Sequence, residues 1–161
     1  MKRNVYWGDT HCNVHPKHMP QLERTYDEAA RILDFLPIAY YPFVHDDCGG
    51  LLIESWGQRD EFLGDWEKVC DAVERHHRPG EFVTFPGYEW HGNRTLWGDV
   101  NVFYNADRGP LLATEDLADL IDELRGLGGI AFPHHTAYRV GNRGKDWSVH
   151  DERVCPLAEI F

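Results

Sequence analysis

Basic side chains are in short supply in this chain of 161 residues: 16 Lys and Arg stand against 27 Asp and Glu, a formal charge of −11. A surface of that sign repels phosphate backbones and anionic headgroups, which argues against duplex nucleic acid and acidic membranes as partners. No apolar run approaches the ~20 residues that cross a bilayer. Met1-Lys2-Arg3-Asn4 leads into Val5-Tyr6-Trp7 without a signal-type apolar stretch, so a cytoplasmic protein is expected. Cysteine is scarce and scattered, and Cys12, Cys48, Cys70 and Cys155 form no C-x-x-C pair. Neither a zinc ribbon nor a disulfide framework is signalled.

Hydrophobic residues make up 42% of the chain, enough for a core, and a single domain over 1–161 is expected. The organising stretch is Phe82-Val83-Thr84-Phe85-Pro86-Gly87-Tyr88-Glu89-Trp90-His91. It reads as a β-branched and aromatic strand that stops at Pro-Gly and sets a carboxylate and an imidazole just past its end. Val5 to Thr10 ends in His11, and Gly129 to Pro133 ends in His134-His135. Strand ends that carry His and Glu meet in space if the strands are parallel neighbours, which is what a hydrolytic metal site needs.

Between these runs lie helix signals. Thr25 followed by Glu28 reads as a capping box for a helix that ends near Leu33. From Asp60, the residues Phe62, Trp66, Val69, Cys70 and Val73 share one helical face, and His76-His77-Arg78 before Pro79-Gly80 is a cationic last turn and stop. Thr114 caps a third helix with Leu117, Leu120, Ile121 and Leu124 on its inner face. Phe35 to Tyr41 and Gly98 to Tyr104 read as strands, and His45 to Gly57 as an irregular, active-site-type loop. Alternating strands and helices predict parallel β/α architecture, open or barrel-like. Pro156 to Phe161 reads as the start of another buried strand, and since a parallel barrel takes ~250 residues, the N-terminal part of a larger domain is expected.

Several segments together resemble the polymerase-and-histidinol-phosphatase (PHP) superfamily of metal-dependent phosphoesterases. They are Tyr6 to His11, Leu33 to Leu36, Phe82 to His91, Gly98 to Phe103, Pro133-His134-His135, Gly141 to Trp147 and Leu157 to Phe161. The resemblance implies a distorted parallel β/α barrel with one to three divalent metals (Zn, Mn or Fe) at the strand C-terminal ends. His11, Glu89, Asp99 and His134 would be the core ligands, with Asn13 standing where the family has a second His and His15 as its substitute. Glu89, His134 and His135 would carry the chemistry, hydrolysis of an ester bond in a small phosphorylated substrate. Arg139, Arg143 and Lys145 lie in a glycine-bearing loop after a ligand strand and read as an anion clamp. Two other classes stay open: a non-catalytic metal- or ligand-binding relative, favoured by Asn13 and by Tyr40-Tyr41 in place of the family's Asp-His, and a glycosidase-like barrel using Glu89 with Trp residues as sugar platforms.

Overall fold

The computed structural model describes residues 4–48, 51–55 and 59–160. The chain forms two compact units, one running to Pro86 and the other starting at Gly87.

In the first unit, β1 (Cys12–Val14) and β2 (Ile38–Tyr40) pair in parallel, with Cys12 opposite Ile38 and Val14 opposite Tyr40. A 3-10 turn over Pro16–Gln21 and helix α1 (Leu22–Ala29) make the crossover between them. Thr25 lies inside α1, where its hydroxyl donates to Gln21 O at 3.1 Å instead of capping the helix. Val44–Cys48 (β3) and Leu51–Ser55 (β4) form an antiparallel hairpin where an irregular loop was expected. Gly49 and Gly50 lie outside the described residues. Helix α2 (Arg59–His76) follows and buries Phe62, Trp66, Val69, Cys70 and Val73, the stripe its spacing predicts. It packs against α1, where His76 stacks on Tyr26 with ring centroids 5.0 Å apart and bonds Glu23 at 2.8 Å. His77 Nδ1 lies 2.7 Å from Thr84 O, so both helix-end histidines are structural.

In the second unit, β5 (Gly87–Trp90), β6 (Asp99–Tyr104) and β7 (Gly129–His134) form an antiparallel meander. The expected parallel barrel is thereby overturned, because among the described strands that pair within a unit β1 with β2 is parallel and the other pairs are antiparallel, and the sheet does not close. Two connections explain the difference. The link 91–98 between β5 and β6, which holds the short helix α3 (Arg94–Trp97), is shorter than the dozen or so residues a parallel crossover takes, so β6 has to run back. After β6, the stretch 105–116 returns along the sheet before helix α4 (Leu117–Leu127) begins. It is tied down by Tyr104 Oη donating to Pro110 O (2.6 Å), Leu112 N donating to Tyr88 Oη (3.2 Å) and Trp90 Nε1 donating to Thr114 O (2.9 Å). Thr114 is therefore a tryptophan partner, and the N-cap is Asp116, whose carboxylate accepts from Ala118 N at 2.8 Å. Because that extended stretch makes the return journey, α4 carries the chain forward again and β7 enters antiparallel. Gly128 closes α4 at φ 68°, a left-handed conformation that favours glycine. The helix buries Leu117, Leu120, Ile121 and Leu124 and packs against β7.

The segment Pro156 to Phe161 is not a buried strand. Pro156, Leu157, Ala158 and Ile160 are exposed, and the segment is tied to β7 by Glu159 N donating to Pro133 O at 3.0 Å. Phe161 lies outside the described residues. Pro133 fits within β7 because its partner on that side, Glu159, presents a donor to the proline carbonyl and asks for no N–H in return.

Candidate metal centre

Side chains alternate across a strand, so the three-stranded meander sorts its residues into two faces. Tyr88, Trp90, Val100, Val102, Tyr104 and Ala131 form one, an aromatic and aliphatic face that is buried. Glu89, Asp99, Asn101 and His134 fall on the other, with Phe103 and Phe132 further along it. An alternating antiparallel strand ordinarily turns its polar face to water. Here that face is buried: Glu89 is 2% exposed, Asp99 and Asn101 0% and His134 1%.

The sequence places Glu89 beyond a strand end, but it lies inside β5, which starts at Gly87. Val83, upstream of the Pro-Gly pair, makes only an isolated bridge to Phe35 within the first unit. Asp99 stands at the first residue of β6, not at a strand's C-terminal end. Antiparallel pairing makes the two ends coincide: Asp99 is opposite His134, the last residue of β7, and His91 directly follows β5.

Glu89 Oε1 lies 2.5 Å from His91 Nε2 and 3.3 Å from His134 Nε2. Asp99 Oδ1 is 3.8 Å from His91 Nε2, and its Oδ2 is 3.6 Å from His135 Nε2. Two sets, Glu89 with His91 and Asp99, and Asp99 with His134 and His135, each place one ligand atom per residue within 4.8 Å of the others. Cations bonded to N and O donors at about 2.0–2.2 Å hold those donors roughly 3.0–3.6 Å apart. The His134–Glu89 and His135–Asp99 separations match that spacing, the His91–Asp99 pair is slightly wide, and the His91–Glu89 pair is at hydrogen-bond length. Buried imidazole and carboxylate groups thus stand within metal-ligand distance of one another, and the donor set suits a divalent cation.

Asp99 has other partners as well. Arg94, on the short helix α3 (Arg94–Trp97), grips it bidentately, with Nε to Oδ1 at 2.5 Å and Nη2 to Oδ2 at 2.6 Å. Arg143 adds Nη2 and Nε to Oδ2 at 2.8 and 3.1 Å. Burial alone pushes the Asp99 carboxyl up, but the arginine bonds and the charge of His91 outweigh it and hold the group below the usual carboxylate range. His135, held at φ 55° and stacked on Tyr138 at 4.8 Å, is pushed down to about 4, first by burial and then by its neighbours His134 and Arg143. It is neutral at pH 7, as a ligand imidazole has to be. Arg143 too has a positive φ, 63°. Two non-glycine residues in that sparsely populated region therefore flank the same carboxylate.

The loop cations expected to clamp an anion have separate situations. Arg143 is on Asp99. Lys145 is 2% exposed, donates to Val149 O at 2.9 Å and lies over the Trp147 ring at 5.3 Å, and burial lowers its pKa. Arg139 is exposed. His11, Asn13 and His15 belong to the first unit. There His11 N donates to Asp9 Oδ1 (2.7 Å), Asn13 Nδ2 reaches Ala39 O (3.5 Å), and the His15 ring packs on Tyr41 at 4.3 Å. Arg94, Asn101 and Glu159 were not placed in the site by the sequence patterns, whereas His91 was read there as the imidazole that follows Glu89. Arg94 was legible as a lone cation near Glu89, whereas Glu159 is distant in sequence from Asn101, Pro133 and Thr136, to which it is hydrogen-bonded.

Comparison of the chain with protein-family models, with curated proteins and with solved structures finds no match.

Proposed function

We propose that the polar face of the second unit holds a divalent cation and that the protein is a metal-dependent hydrolase acting on ester bonds. The observation that carries this is Glu89 Oε1, a buried carboxylate oxygen approached by two imidazole nitrogens, with a second buried carboxylate beside it. Glu89, His91, Asp99 and His134 would hold the ion, with His135 at its margin. Zn, Mn and Fe all suit such ligands. When bound, the ion supplies Lewis acidity, lowering the pKa of water and polarising the ester. The chain's own residues do the rest. Glu89 sets the negative charge that gathers the cation, Arg94 fixes the Asp99 carboxylate, and neutral His135 presents a nitrogen at the edge of the cluster. A small phosphorylated substrate is the class that the PHP resemblance suggests.

A second reading draws on the arginine bonds to Asp99: a closed polar network in which guanidinium groups stand where a cation would, with no catalysis. Metal analysis after purification from medium supplemented with Zn, Mn and Fe separates the two. The hydrolase reading expects close to stoichiometric metal, its loss in Glu89→Gln and His134→Ala variants that keep the parent circular dichroism, and chelator-sensitive hydrolysis in a panel of phosphomonoesters and phosphodiesters. Metal-free parent protein after that growth would leave the closed network as the correct account.

A further inference from the structure

Asn101 lies on the same sheet face as Glu89, directly opposite it in the β5–β6 register, and is wholly buried. Facing residues on paired strands have Cβ atoms about 5 Å apart. Its Nδ2 donates to Glu159 Oε1 at 3.1 Å. A carboxylate only accepts hydrogen bonds, so this bond fixes which way the amide is turned and leaves Oδ1 as the remaining acceptor. That oxygen is buried and has no hydrogen-bond partner among the described residues. Leaving a buried acceptor unmet is costly, and the sequence spends further bonds on keeping it in place. Glu159 N donates to Pro133 O at 3.0 Å and Thr136 Oγ1 donates to Glu159 O at 2.7 Å, so the residue that orients Asn101 is itself anchored from both sides of its backbone.

We propose that Asn101 is a metal-selectivity residue, its Oδ1 held by Glu159 as an additional uncharged oxygen donor to the cation bound at Glu89. This rests on the metal-site reading above. Carboxamide oxygen is a hard ligand that suits Mn and Mg better than Zn, which is content with four N, S or O donors. Adding it to two carboxylates and two imidazoles moves the site towards oxygen-preferring ions.

The test uses the full chain stripped with chelator and titrated separately with Mn²⁺ and Zn²⁺ by calorimetry. Asn101→Leu keeps the shape and removes the oxygen, and is expected to weaken Mn²⁺ by about tenfold or more while moving Zn²⁺ much less. The exchange Asn101→Asp with Glu159→Gln preserves the hydrogen bond and the net charge but moves the charge next to Glu89. It is expected to bind Mn²⁺ more tightly than the parent, and it keeps the test open if the leucine variant does not fold. A merely structural Asn101 predicts a lower melting temperature for the metal-free leucine variant with the Mn²⁺ to Zn²⁺ ratio unchanged in both variants, which would overturn the proposal. A parent that binds neither ion would instead overturn the metal-site reading, and this inference with it.

Discussion

Replacing Asp99 with Asn isolates the group on which the site's electrostatics turn. Asp99 is 0% exposed and receives four arginine bonds, from Arg94 Nε and Nη2 and from Arg143 Nε and Nη2. The amide keeps one acceptor but removes the charge and turns an NH2 towards guanidinium donors that cannot accept. Breaking a buried ion pair costs about 3–5 kcal/mol. The arginine side chains keep 18% and 40% of their exposure, so they rehydrate in part and the lower end, about 3 kcal/mol, applies. In a chain of 161 residues, each kcal/mol moves the melting temperature by roughly 2–4 °C, which predicts a fall of about 6–12 °C. Thermal unfolding followed by circular dichroism in chelator, at pH 7, measures it without any contribution from metal. Asp151 is the control: it too is held by two arginines, Arg125 and Arg153, but these are 43% and 73% exposed, so Asp151→Asn should shift the midpoint clearly less. A drop of under ~2 °C for Asp99→Asn, or equal drops for the two variants, would refute the claim that burial makes the Asp99 network a substantial part of this unit's stability.

The folded-state pKa of His135, about 4, lies below its ordinary value. Between about pH 6.5 and 4 the unfolded chain therefore binds the extra proton, so stability falls as pH falls through that window. His135→Asn, which tolerates the positive φ, should flatten the slope of melting temperature against pH, and an unchanged slope would assign it to other groups. Gly98, at φ 70°, sits between α3 and Asp99, and a Cβ there would lie 2.7 Å from Arg143 O. Gly98→Ala should therefore cost about 2 kcal/mol or more, measured by urea unfolding, because both the left-handed backbone and the backbone contact oppose it.

Much of this was legible locally. The apolar stripes of α2 and α4 follow from 3.6-residue spacing, and the alternation in Tyr88-Glu89-Trp90-His91 and Asp99-Val100-Asn101-Val102 marks strands with one polar face. The residue types on that face also pointed to metal chemistry. Strand direction was not legible, because a strand–helix–strand pattern looks the same whether or not an extended stretch such as 105–116 makes the return journey first. Nor was the burial of the polar face. Glu89, Asp99 and His134 belong to three strands whose register is set by pairing, and only that pairing brings the start of β6 beside the ends of β5 and β7. The same limit applies to Arg143 on Asp99 and Glu159 on Asn101, separated by 44 and 58 residues in the chain. The sequence by itself determined which residues alternate or recur within an element, since those intervals are set by covalent geometry. Which carboxylates are buried, and which arginine or amide meets each of them, was decided by the tertiary structure, because desolvation and ion pairing depend on neighbours that only the folded chain supplies.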